Sequence, residues 1–144
     1  MKLKIFILFI LLSVLCSYNL YAQKAQGPES NIILIYNTGT VETILGQVRS
    51  IENIYSLNNT SYDIIMNIYT SNGEILVHLG PAEYLEEQSI KINIDDNVTV
   101  TGSKINYEGK IIIIAEVVTV GGKQLKLRND YGDPLWLGQR IKSD

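Results

Sequence analysis

His78 is the single histidine of the 144 residues. It lies in the run EILVHLG at positions 74–80 and alternates with Val77 and Leu79, so its ring belongs to the face opposite those two residues. One imidazole does not make a transition-metal site. Glu116, in KIIIIAEVVTV, is the carboxylate that could join it to bind a metal or move a proton, and a structural, hydrogen-bonded histidine is the plainer reading. Asn129, Asp130 and Asp133 place oxygens close together, as calcium requires. They lack the full spaced loop of a known site and read as a solvated turn. Glu86 and Glu87 are adjacent on a short helix and point in different directions, so they form no acid and base pair. The chain has no G-x-S-x-G elbow and no phosphate loop of the G-x-x-x-x-G-K type, and one histidine leaves little room for a hydrolytic triad. The expectation is a protein that is not an enzyme, with no cofactor and no metal.

Short β-branched runs separated by turn residues dominate from Thr40 onward. VETILGQVRSIENIY is a long strand with a bend or bulge allowed at Gly46. SYDIIMNIYT alternates Ile64, Met66 and Ile68 against Asp63, Asn67 and Tyr69, which buries one face. Ser71, Asn72 and Gly73 turn the chain into EILVHLG, with Asn-Gly supplying the positive φ angles a hairpin demands. Pro81 opens a helix of a turn or two, AEYLEEQ, whose early glutamates suit the helix dipole. NVTVTGSKI and KIIIIAEVVTV follow, the latter at the centre of the sheet, and Gly121-Gly122 joins it to KQLKLRN.

Three strands, a short helix and two further strands, with bends in the long ones, predict an all-β, five- to six-stranded OB-like Greek-key barrel over residues 40–137. A small sandwich is the alternative. In such a barrel the outer face of strands two and three is the ligand platform and presents Asp63, Asn67, Tyr69 and His78. Tyr69 either stacks on a base or sugar or covers the sheet, and Trp136 either closes one end of the barrel or anchors a partner.

At the N-terminus, Lys2 and Lys4 precede an apolar, uncharged run of 11 residues, Ile5 to Leu15, and Ala22 marks the best cleavage point. This is the layout of a secretory signal over 1–22, too short to span a membrane, where a helix needs about 20 apolar residues. The remaining chain is expected to be exported, periplasmic or extracellular, with no transmembrane helix. It comprises a lead-in at 23–39, the barrel, and a tail at 138–144. Cys16 leaves with the signal, so 122 residues remain without disulfides or thiolate chemistry. They carry 10 basic and 15 acidic groups, with the acidic excess before residue 101 and a mild basic excess after it. That balance repels polyanions over most of the domain. Sequons occur at Asn58, Asn59 and Asn97.

VHLGPAEYLEEQ, DDNVTVTGSKINYEGK and EVVTVGGKQLKLRNDYGDPLW resemble the domain shared by the magnetosome proteins MamS and MamX, with HLGP and the L-R-x-D-x-G-x-P-x-W pattern its most specific parts. The resemblance implies an OB-like exported domain and little about activity. The C-x-x-C-H heme attachment of the redox relatives is missing, so heme-based electron transfer does not carry over. Two functions follow as expectations. One is a noncatalytic cell-envelope binding or scaffold module for a protein, peptide or glycan. The other is an oligonucleotide or oligosaccharide binder, favoured by the fold and by Lys104, Lys110, Lys123, Lys126 and Arg128.

Overall fold

The structure, a computed structural model, describes residues 35–55, 61–107 and 109–138. The signal expected at 1–22, most of the lead-in, most of the C-terminal tail and the sequons at Asn58 and Asn59 lie outside the described residues.

The predicted strands form. They are β1 (Val41–Tyr55), β2 (Tyr62–Thr70), β3 (Gly73–Pro81), β4 (Asn97–Tyr107), β5 (Lys110–Val120) and β6 (Lys123–Lys126), with helix α1 (Ala82–Glu86) between β3 and β4. Sheet order is β3-β2-β1-β4-β5-β6. A parallel pairing of β3 with β5, Leu76 to Ile112 through His78 to Ile114, closes the first five strands into a barrel and leaves β6 as an extension. The length of β1 makes closure possible. Residues 41–47 pair with β4 and residues 47–55 with β2, so one bent strand serves both halves. The bend shows as a register shift between Val48 and Ser50, just past Gly46.

Alternating side chains fill the interior. Val48, Met66, Ile68, Val77, Val100, Ile113 and Val118 are fully buried, and each contributes roughly 1.5–3 kcal/mol by leaving water. The unbroken apolar run in β5 has a specific cause. This strand pairs with β3, β4 and β6, and Ile112 and Ile114 are buried as well as the core residues Ile113 and Ala115. A strand covered on both faces has no polar positions to alternate with.

Two turns differ in detail. Gly121 and Gly122 both have positive φ, 55° and 78°, as a two-residue primed hairpin needs. In the β2–β3 turn the left-handed residue is Gly73 alone, at φ 110°, and Asn72 is not among the positive-φ residues. Thr70 holds that turn instead. Its hydroxyl donates to the Gly73 carbonyl at 2.8 Å and accepts from the Asn72 N–H at 3.1 Å. Helix α1 is short, has no side-chain N-cap, and is pinned by Tyr84, whose ring is buried and whose hydroxyl donates to the Lys126 carbonyl at 3.3 Å.

Candidate functional site

The bulge between β2 and β3 sets Asp63 opposite Pro81 and Ile65 opposite His78. His78 does face away from the core side chains Val77 and Leu79, as alternation requires, but it is not on an open surface. It is 7% exposed, and Arg128, 4% exposed, lies against it. The expected platform of Asp63, Asn67, Tyr69 and His78 is therefore divided.

The lower part is a closed polar cluster. The Arg128 guanidinium has donors only, so where its Nη2 approaches His78 Nδ1 at 3.3 Å the imidazole nitrogen must accept. That assigns the ring hydrogen to Nε2, which donates to Asp63 Oδ2 at 3.0 Å. Arg128 Nη1 donates to the Ala115 carbonyl. Trp136 lies over the guanidinium, 4.8 Å from ring centroid to Cζ, and its ring also meets Tyr84 at 5.6 Å. A floor for the indole is provided by Gly80, where a Cβ would come within 2.6 Å of it and where φ is +127°. The two motifs singled out in the sequence, HLGP and L-R-x-D-x-G-x-P-x-W, thus pack on each other through His78 with Arg128 and Gly80 with Trp136.

Arg128 reaches this position because the chain folds back after β6. The Leu127 and Arg128 N–H groups both donate to the Glu116 carbonyl, Arg128 bridges Pro134, and the Leu135 N–H donates to the Leu127 carbonyl at 3.0 Å. Asn129 closes the intervening turn by accepting from the Tyr131 and Asp133 N–H groups and donating to the Asp133 carboxylate. Of the side chains considered for calcium, Asn129 and Asp133 are thus spent on the turn itself, and Asp130 pairs with Lys126 at 3.4 Å. Among the described residues no group of three or more histidine, cysteine or acidic side chains is placed to hold a metal. Glu116 is not the partner of His78 in this arrangement. Its carboxylate accepts from the Tyr36 hydroxyl at 2.6 Å.

The upper part of the platform is open. Tyr69 is about half exposed, with the Arg49 guanidinium 5.2 Å from its ring centroid. Asn67 donates to Glu74 at 3.0 Å, while its carbonyl oxygen is enclosed without a hydrogen-bond partner. Of the five residues proposed from sequence, Asp63, His78 and Trp136 converge, whereas Asn67 and Tyr69 belong to this separate surface. Arg128 was grouped in the sequence with exposed lysines. Its buried position is the correction, and nothing local in KQLKLRN distinguishes it.

Burial pushes the Arg128 guanidinium down to about 10, against the opposing pull of Tyr36 and Asp63. Burial and the neighbouring Glu116 carboxylate raise the Tyr36 phenol well above its ordinary value. The signs oppose. Above about pH 10 the unfolded chain loses the Tyr36 proton first, so this group's contribution to stability falls as pH rises, while the unfolded chain holds the Arg128 proton longer and that contribution rises. In a spectrophotometric titration, Tyr36→Phe should remove only absorbance that develops at the most alkaline end. Loss of absorbance near the ordinary tyrosine midpoint would contradict the Tyr36 to Glu116 contact.

A second feature lies beside α1. An apolar cleft of about 200 Å³ is lined by Ile51, Ile64, Leu79, Leu85, Ile90 and Leu125, among others, with Asn53, Glu86 and Lys91 also contributing. Sequence reasoning missed it, since its walls come from β1, β2, β3, α1, β6 and the stretch after the helix.

Among the described residues no helix is long and apolar enough to cross a membrane. No curated protein matches the chain. The MamS/MamX magnetosome protein family matches residues 40–125, from the start of the barrel into β6 and short of Arg128 and Trp136. With the match covering more than half of its length, the chain belongs to the MamS/MamX magnetosome protein family.

Proposed function

We propose that this protein is a noncatalytic binding module of the cell envelope, exported by the segment 1–22, which seats an apolar side chain of a partner protein or peptide in the cleft beside α1. The observation that carries this reading is the size and lining of the cleft. At about 200 Å³ it falls below the roughly 300–1,000 Å³ of small-molecule sites but suits one or two side chains of a larger partner. The state of the polar cluster supports it too. Both His78 nitrogens are engaged internally and the Arg128 guanidinium donates to Ala115 and His78, so this cluster is occupied with holding the fold together.

Photo-crosslinking tests this reading. With the crosslinker at Glu86, on the cleft, a discrete adduct is expected in cells, and with it at Thr119, on β5 and outside the cleft lining, none. Leu85→Glu should abolish the Glu86 adduct by charging the cleft wall. Identical products from both positions, or an adduct indifferent to Leu85→Glu, would reject the cleft as the binding site.

A second reading, single-stranded oligonucleotide binding, draws on the exposed Tyr69 with Arg49 and on the exposed Tyr55 and Tyr62 rings, 4.6 Å apart. The basic groups behind it are less free than the sequence suggests. Arg128 is buried, Lys104 pairs with Glu42 at 3.1 Å and Lys126 with Asp130 at 3.4 Å. Binding of oligothymidylate at low salt, weakening steeply as salt rises, would favour it over the cleft.

A further inference from the structure

The Asp63, His78, Arg128 and Trp136 cluster holds a C-terminal turn (Leu135–Gly138) against β3 through an imidazole that serves only while it is neutral. We propose that His78 is an acid-sensitive latch, and that its protonation releases Trp136 and the turn carrying it from the barrel wall. The proposal goes beyond the binding reading and does not depend on the cleft.

The argument is one of donors and acceptors. Neutral His78 accepts from Arg128 on Nδ1 and donates to Asp63 on Nε2. The imidazolium has two donors and no acceptor. Its new Nδ1–H would point at a guanidinium nitrogen 3.3 Å away, so one hydrogen bond is lost and two cations meet where both side chains are more than nine-tenths buried. Charged and titratable neighbours on each side are few. From β2, the Asp63 carboxylate 3.0 Å from Nε2 favours the charged ring and so helps protonation occur, but it lies at the other nitrogen and cannot replace the acceptor that Arg128 loses at Nδ1. On β5 the register partner of His78 is Ile114, which offers no charge, and the Glu116 carboxylate is taken up by Tyr36 from the segment before β1. Arg128 remains as the group that must give way. Trp136 rests on its guanidinium, on Gly80 and against the Tyr84 ring, so displacing Arg128 removes one of the indole's three supports.

One histidine and one tryptophan make both halves of the latch directly readable in the unmodified protein. Nitrogen NMR of the histidine should show the neutral Nε2–H form at pH 8. As the solution is acidified from pH 8, protonation of the ring should move the tryptophan emission to longer wavelength, the two changes sharing one midpoint. The far-ultraviolet circular dichroism should stay constant across that transition. In His78→Gln the emission should be flat over the same range. An Nδ1–H ring at pH 8, a ring that titrates while the emission stays fixed, a ring that does not titrate before the β signal is lost, or an emission change that survives in His78→Gln would each overturn the latch. Should His78→Gln fail to fold, the coincidence of the two midpoints in the unmodified protein still decides.

Discussion

Arg128→Ala should lower the stability of the domain by about 2–4 kcal/mol, because two buried acceptors lose their donor at roughly 1–3 kcal/mol each, offset in part by removal of the buried cation's own desolvation cost. The guanidinium is 4% exposed and holds four things in place. It donates to the Ala115 carbonyl and to His78 Nδ1, lies under the Trp136 ring, and sits near the Asp63 carboxylate that His78 contacts. Alanine leaves the carbonyl and the imidazole nitrogen without a donor, opens a void beneath the indole and strips Asp63 of a nearby cation. Since small domains have only about 5–15 kcal/mol in total, the variant should unfold at markedly lower denaturant. Arg128→Lys should recover little of the loss, because a single ammonium lacks the fork that reaches the carbonyl and the imidazole together. Chemical denaturation followed by circular dichroism provides the measurement, as the tryptophan lies inside the perturbed cluster. An alanine variant within about 1 kcal/mol of the parent would mean that Arg128 is held in place without holding anything itself.

Gly102→Val should be comparably damaging for a different reason. Gly102 sits at the register shift of the β4–β5 ladder, opposite Ala115. A Cβ there would lie 2.9 Å from the Ala115 Cα and from the Ile114 carbonyl carbon, and closer still to the Ile114 oxygen. All three are backbone atoms of the most enclosed strand, so relief requires parting β4 from β5 along the most extensive strand pairing of the barrel. Overpacking within a core costs typically 1–3 kcal/mol, and a rigid backbone neighbour places valine at about 3 kcal/mol or above, with Gly102→Ala between valine and the parent. Thermal unfolding of the three proteins should rank them in that order. An alanine variant as stable as the parent would show that the two strands can separate at little cost.

The two substitutions probe features that differed in how visible they were from the sequence. Gly102 was recognisable as a bend because a glycine interrupts an alternating valine and threonine run, a strictly local signal. What faces it was not recognisable, since Ala115 belongs to another strand. His78, Asp63 and Trp136 stood out by residue type and by lying in unusual motifs. Arg128 did not, because the sequence KQLKLRN presents it as one more cation on a strand of the kind that is ordinarily solvated. The apolar cleft left no trace of its own, since each wall residue is an ordinary member of an alternating strand or a short helix.

Side-chain alternation, turn residues and β-branched runs by themselves determined the strands and the helix after the third, because a period of two and a permitted φ angle are properties of neighbouring residues, whereas closure as a barrel and not a sandwich rests on β3 meeting β5. Tertiary structure alone decided that the supposed ligand platform is half covered. His78 and Arg128 are 50 positions apart, and Tyr36 and Glu116 are 80 apart. Whether such groups meet depends on β3 pairing with β5 and on the chain folding back after β6. A buried cation becomes tolerable only once those distant partners are in place to replace the water it gives up.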